Sequence, residues 1–264
     1  MKTGFETIIT EIINNHILLI TFNRPKFANA FNTMMSKELT TLIEDLSMSS
    51  DNIRSIILTG SGQKAFCSGG DLKERNGMSD EEWGKQHLVY ERMIRALINC
   101  PIPIIGAING AAYGGGCEIA AALDFVFVSE NAKFALPELG LGIIPGAGGT
   151  QNLSRAVGER RAKELILTGR VFSAQEAVKW NFANDVFPIE KLLEKTIEIA
   201  ELISSKAPIA VKQAKQSIHK GLQMSLSDGL SFEIEAYNRT IPTKDRIEGV
   251  LAFNEKRKPK FEGK

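Results

Sequence analysis

Short apolar runs of β type alternate with stretches of helical period, and this alternation limits what the chain can fold into more than any other feature. The runs lie at 17–22, 53–58, 102–108 and 125–128, each bounded by Gly, Asn, Pro or Asp. Between them, Met35, Leu39, Leu42, Ile43 and Leu46 recur at helical spacing, as do Trp83, His87, Tyr90, Ile94 and Leu97, and 189–203 repeats the pattern. Strand and helix in turn predict an α/β architecture. From about residue 205 the strand signals stop and helical patterns follow at 207–222, 226–240 and 244–256. We therefore expect a core over 1–204 with an appended helical module over 205–264. The closing stretch 255–264, with Lys256, Arg257, Lys258, Lys260 and Lys264, reads as a solvated tail. Strand–helix recurrence is too irregular to count as a sequence repeat.

Charge and cysteine content narrow the function classes. The chain carries 32 basic and 31 acidic side chains, a formal net charge of +1, so nothing pulls it as a whole towards nucleic acid or an anionic membrane. An anion site must be local. Cys67, Cys100 and Cys117 are an odd number without a CxxC pair, which argues against a disulfide framework or a zinc site and for a reducing compartment. No apolar run approaches the roughly 20 residues of a membrane-crossing helix. The first 23 residues hold no Arg and include Glu6 and Glu11, which fits neither a secretory signal nor a transit peptide. A cytoplasmic location is the expectation.

Two glycine-rich segments follow β-type runs and lead towards helix starts: 66–73, Phe-Cys-Ser-Gly-Gly-Asp-Leu-Lys, and 109–118, Asn-Gly-Ala-Ala-Tyr-Gly-Gly-Gly-Cys-Glu. Helix starts leave N–H groups unpaired, and glycine lets an anionic oxygen approach them. Two such starts can form one oxyanion hole; equally, glycines there can serve tight turns. A third cluster, 140–149, begins Gly-Leu-Gly but has Pro145 where a dinucleotide fingerprint needs its third glycine, and 159–166 reads as helix rather than strand. No P-loop occurs either. The three histidines, His16, His87 and His219, sit in no nucleophile or metal motif. Two carboxylates stand out instead: Glu118, ending the second segment, and Glu138, set in Phe-Ala-Leu-Pro-Glu-Leu-Gly-Leu at 134–141. Burial would raise such an acid towards the pH at which it both gives and takes a proton. The plainer readings are a helix-start acid for Glu118 and an exposed loop acid for Glu138.

In order along the chain, Asn23-Arg24-Pro25-Lys26 with Asn29-Ala30, Ser68-Gly69-Gly70-Asp71, Gly114-Gly115-Gly116-Cys117-Glu118, Pro137-Glu138 and 144–151, Ile-Pro-Gly-Ala-Gly-Gly-Thr-Gln, resemble the enoyl-CoA hydratase/isomerase (crotonase) superfamily. The likeness extends to the closing 246–257. It implies a spiral of ββα units followed by a helical trimerisation region, commonly assembled as a homotrimer or a hexamer made of two trimers. It implies that the N–H groups of Gly70 and Gly115 hold the thioester oxygen of an acyl-CoA, with Glu118 and Glu138 as the acid/base pair of a hydratase. Relatives usually carry Ala where Gly70 stands. The same resemblance places Lys26, Ala28, Gly69, Asp71, Leu72, Lys73, Gly114 and Pro137 along the CoA path, with Lys64 as a further cation and Phe253 and Lys256 closing the pocket from the same or a neighbouring subunit. No metal or redox cofactor is implied, coenzyme A being part of the substrate. Isomerases of the superfamily often keep one of the two glutamates, so the pair favours hydration.

Within the enzyme class, 66–75 and 240–246 also resemble the methylglutaconyl-CoA hydratase branch, whose substrate is branched and carboxylated, with Arg75 or another cation to meet the second carboxylate. RNA binding, reported for that branch, finds little support: Lys37 on the first long helix is accompanied by Glu38, Glu44 and Asp45, and the basic tail lacks interleaved aromatics. A catalytically silent CoA-binding scaffold is the third reading. Acyl length would be set by a wall around residues 74–97.

Overall fold

The computed structural model describes residues 4–49 and 52–264. In chain order the elements are β1 (Ile8–Ile13), β2 (Ile17–Phe22), α1 (Thr33–Met48), β3 (Ser55–Gly60), β4 (Ala65–Cys67), α2 (Leu72–Arg75), α3 (Asp80–Asn99), β5 (Ile104–Ile108), β6 (Ala111–Tyr113), α4 (Gly115–Ala122), β7 (Phe125–Ser129) and β8 (Lys133–Ala135). They continue with α5 (Gly149–Val157), α6 (Glu159–Thr168), β9 (Phe172–Ser173), α7 (Ala174–Lys179), β10 (Asp185–Phe187), α8 (Ile189–Ser204), α9 (Pro208–Gly221), α10 (Leu226–Asn238) and α11 (Lys244–Asn254).

A hairpin opens the sheet. Asn14 and Asn15 turn β1 into β2 at φ 49° and 65°, a left-handed conformation that Asn tolerates. The large sheet then runs in the order β1-β2-β3-β5-β7-β10, parallel from β2 onward. The inner strands β2, β3 and β5, rich in Ile and Leu, are buried on both faces, as a parallel sheet requires. One face packs against α8, where Leu192 and Ala200 meet Ile17, Leu19, Ile57, Ile105 and Phe127. The other packs against α1, α3 and α4 in the main core.

A second sheet, β4-β6-β8-β9, is built from strands too short to betray themselves by alternation. After each of β3, β5 and β7 the chain turns into one strand of this small sheet and then enters helix. Three ββα units thus stack, β3 beside β5 beside β7 and β4 beside β6 beside β8. The units begin at residues 55, 104 and 125, and this unequal spacing hides a geometric repeat from sequence comparison. The glycine-rich segments come after the small-sheet strands β4, β6 and β8, where the chain turns towards α2, α4 and α5.

The tail differs from expectation. The stretch 255–264 is solvent-exposed yet pinned: Arg54 donates to the carbonyls of Ser204 (3.0 Å) and Phe261 (2.8 Å), and Asp245 accepts from the N–H groups of Glu262 (2.7 Å) and Gly263 (2.9 Å). Arg257 pairs with Glu248 at 2.6 Å. The lysines there are spaced by backbone that is hydrogen-bonded, which net basicity alone does not disclose. Among the described residues no helix is long and apolar enough to cross a membrane.

Candidate active site

The first donor arises from a β-bridge rather than from a helix start. Phe31 pairs in parallel with Gly70: its N–H donates to Gly69 O and its carbonyl accepts from Asp71 N–H, both at 2.9 Å. Flanking residues carry the bridge, so the Gly70 N–H between them faces the other way and has no protein acceptor among the described residues. The second donor is at a helix start. Gly115 is the first residue of α4, and its N–H is likewise unspent. Gly69, at φ 100°, and Gly114, at φ 51°, make the turns that aim both. The two donors are close: a Cβ placed on Gly115 would lie 3.6 Å from Gly70 N, and one on Gly69 would lie 3.2 Å from Gly115 N.

Gly70 itself tolerates a methyl group. Its backbone is not in the left-handed region, and a Cβ there would meet Tyr90 Cε2 at 3.4 Å, ordinary contact. Gly70→Ala is therefore expected to keep the donor and to raise stability by about 0.4–1 kcal/mol by restricting the unfolded chain. Thermal unfolding of the two proteins, with turnover measured in parallel, checks this.

Glu118 lies in the first turn of α4, 3 % exposed. The loop ahead of α5 wraps its Oε1, which accepts the N–H groups of Ala147 and Gly149, each at 2.8 Å. Burial raises the carboxyl above its ordinary range, while those N–H groups pull it back towards the charged form. Glu138 opens a 3-10 turn after β8 and is 8 % exposed, so it is no exposed loop acid. Its carboxylate finds no hydrogen-bond partner outside its own residue. Burial, with the charge of Glu118 adding to it, pushes Glu138 up to about 7 against a pull from its own N–H. It faces the donors: a Cβ on Gly114 would come 3.2 Å from Glu138 Oε1. The thiol of Cys117, raised well above its usual range chiefly by burial, feels both carboxylates. Four groups from three separate stretches of the chain therefore share one buried locus.

The flanking residues divide. Asp71 is buried and already committed: it caps α2 through the N–H groups of Lys73 and Glu74 and pairs with Arg24 at 2.8 Å. Burial opposes its charge, yet Arg24 and the two N–H groups outweigh it and hold the carboxyl below its ordinary range. It fixes the loop. Lys26, Ala28, Leu72, Lys73 and Pro137 are exposed, as is Lys64. Phe253, 83 % exposed, and Lys256 lie on and just after α11 and make no hydrogen bond, ion pair or ring contact with the site among the described residues. Sequence reading missed Phe31, Phe27 and the donors Ala147 and Gly149. Phe27 has Arg24 Cζ 4.6 Å and Lys73 Nζ 5.8 Å from its ring centroid. Only its place between Pro25 and Asn29 would have pointed to it. Among the described residues no cluster of His, Cys, Asp and Glu forms a metal site.

Two main-chain donors beside two buried carboxylates are chemically able to stabilise an oxygen that gains negative charge and to exchange protons with atoms beside it. The sequence model of the enoyl-CoA hydratase/isomerase family matches residues 12–264, and the chain belongs to that family. It is 46% identical over 258 residues to YngF of Bacillus subtilis (strain 168), which carries an enoyl-CoA hydratase/isomerase name, covering 98% of this chain and 99% of that one. It is 42% identical to the short-chain-enoyl-CoA hydratase of Clostridium acetobutylicum, with 92% of each chain covered. The crystal structure of enoyl-CoA hydratase from Bacillus anthracis superimposes with a TM-score of 0.96 at 45% identity, covering 98% of this chain and 100% of that one. The fold is the crotonase spiral with its C-terminal helical region.

Proposed function

We propose that the protein is an enoyl-CoA hydratase, adding water reversibly and syn to a trans-2-enoyl-CoA to give the 3-hydroxyacyl-CoA. The observation that carries this reading is the pairing of two buried glutamates with two unspent N–H groups. The thioester oxygen accepts from Gly70 and Gly115. Glu118, positioned by the N–H groups of Ala147 and Gly149, takes a proton from water as the water oxygen bonds to C3. The C2–C3 electron pair moves into the thioester, and the charge collects on the held oxygen. Glu138 delivers its proton to C2 as the carbonyl re-forms, and proton exchange through solvent resets the pair. The thioester is the electron sink, so the scheme calls on no metal or redox cofactor. Incubation with crotonyl-CoA in heavy-oxygen water tests it: loss of the enoyl absorbance with label entering the product is expected, and a shifted double bond without label would refute hydration.

The acid role of Glu138 fixes a pH limb. A donor must be protonated, so kcat/KM should fall as pH rises through about 7. The same shift affects stability. The folded state favours neutral Glu138, so its contribution is whole below the unfolded value of 4.5 and is lost as pH rises through about 7. Glu138→Gln should then raise stability at pH 8 by about 2–3 kcal/mol and change it little at pH 4. Unfolding curves at the two pH values check the sign.

The acyl-CoA path is assigned to Lys26, Ala28, Gly69, Asp71, Leu72, Lys73, Gly114 and Pro137, with Asp71 acting through the loop that it holds. We read 1–204 as the unit carrying the site and 205–264 as the oligomerisation module of a homotrimer or hexamer. The exposed apolar side chains Leu222, Leu226, Leu230, Ile234 and Phe253 support that reading, and a neighbouring subunit is the route by which Phe253 and Lys256 would reach a pocket.

A further inference from the structure

We infer that Glu74 is a positioning residue that clamps residues 31–33 against α2 and thereby aims the Gly70 N–H at the thioester oxygen; the inference rests on the role given to that N–H in the reading above. The donor belongs to the peptide group between Gly69 and Gly70. This group is planar and trans, so its carbonyl and its N–H point in opposite directions. Gly69 O accepts from Phe31 N–H at 2.9 Å, and this bond turns the Gly70 N–H away from Phe31. With glycine on both sides, no Cβ resists rotation of the peptide. The direction of the donor therefore depends on how firmly residue 31 is held. Gly115 needs no such device, since its N–H is aimed by α4.

Residue 31 is held from both sides. Its carbonyl accepts Asp71 N–H at 2.9 Å and Tyr90 OH at 3.4 Å. Two residues on, Thr33 opens α1, and its N–H donates to Glu74 Oε2 at 2.9 Å. The same oxygen accepts from Gln86 Nε2 at 2.7 Å and Tyr90 OH at 3.4 Å, and Gln86 Nε2 also donates to Thr33 Oγ1 at 2.9 Å. One carboxylate oxygen thus gathers α1, α2 and α3 around the bridge that sets the donor. Tyr90 completes the enclosure: its ring stands edge-on to Phe31, 4.7 Å between centroids, and a Cβ on Gly70 would rest 3.4 Å from it. Without the acceptor at 74, the Thr33 N–H and Gln86 Nε2 lose a shared partner, α2 is untied from α1, and the Gly69–Gly70 peptide keeps only the bridge bonds to hold it.

The test uses Glu74→Met, which fills the space without a strong acceptor, and Glu74→Gln, whose amide oxygen can still take the Thr33 and Gln86 donors. Turnover is measured on crotonyl-CoA and affinity with butyryl-CoA. Acetoacetyl-CoA reports on the oxyanion hole directly. It has no double bond to hydrate, and the pH at which the bound ligand ionises to its enolate, followed by near-ultraviolet absorbance, tracks the stabilisation of charge on the held oxygen. Glu74→Met is expected to lower kcat by about 10²-fold, as a misplacement of about 1 Å does, and to weaken butyryl-CoA binding far less. It should also raise the ionisation of bound acetoacetyl-CoA by about one pH unit or more. Glu74→Gln should lose much less on both counts. Adding Gly70→Ala to Glu74→Met should recover part of both losses, because the new Cβ resists rotation of the peptide. A fall in kcat with no shift in the ionisation of the bound ligand would show a merely structural role and overturn the inference, as would wild-type values of both. If the wild type does not hydrate crotonyl-CoA, the hydratase reading fails, and the ionisation difference between wild type and Glu74→Met alone decides: a shift upholds the clamp, and none overturns it. Should Glu74→Met not fold, Glu74→Asp, one methylene too short for the Thr33 N–H, carries the decision by the same two readouts.

Discussion

Glu118→Gln and Glu138→Gln should each yield a folded protein that binds a saturated acyl-CoA yet hydrates crotonyl-CoA about 10²- to 10⁴-fold more slowly. The amide at 118 can still accept the Ala147 and Gly149 N–H groups, so geometry survives while the capacity to take a proton from water is lost. At 138 the change removes an acid that burial keeps protonated up to about 7. Because the two acids serve one addition, the double variant should fall little below the worse single one. Steady-state kinetics together with calorimetric binding measures both; unchanged turnover in the two single variants would refute the acid/base assignment.

Gly115→Ala is the second large effect. A Cβ there would stand 2.5 Å from Phe31 Cζ and 2.6 Å from Cε1, so either the ring or the start of α4 must move. Phe31 is buried and packed edge-on against Tyr90, which limits how far its ring can give, so the strain falls on the start of α4 and its donor. Losing one oxyanion-hole N–H typically lowers kcat by about 10²- to 10³-fold, or roughly 2.7–4 kcal/mol. The contrast with Gly70→Ala is diagnostic, since that methyl group meets only ordinary contact. Adding Phe31→Leu to Gly115→Ala should restore part of the rate by removing the ring that clashes. A Gly115→Ala enzyme with wild-type kcat would show that this N–H holds no charge in the transition state.

The strand runs at 17–22, 53–58, 102–108 and 125–128 and the long helices were legible because four or more residues of one period accumulate a signal. The three-residue strands β4, β6 and β8 accumulate none, and they form the second layer that turns a simple alternation into a spiral. The site divides in the same way. Glu118 and the glycines announce themselves by type and position; Glu138 was visible as an acid among apolar residues, but only packing shows it buried and unpartnered. Phe31, Ala147 and Gly149 have no chemical signature at all, since what matters is a ring edge and two main-chain N–H groups.

By itself, then, the order of residues determined the α/β alternation, the helical stretch from about residue 205 and the two acids that stand out, because propensity, periodicity and side-chain chemistry are local. Tertiary structure alone decided that Gly70 turns its N–H away from the β-bridge, that Asp71 is consumed by Arg24 and that the tail is tied to Arg54 and Asp245. Each of these depends on which distant backbone or charge arrives within hydrogen-bond range, and that follows from the stacking of the ββα units.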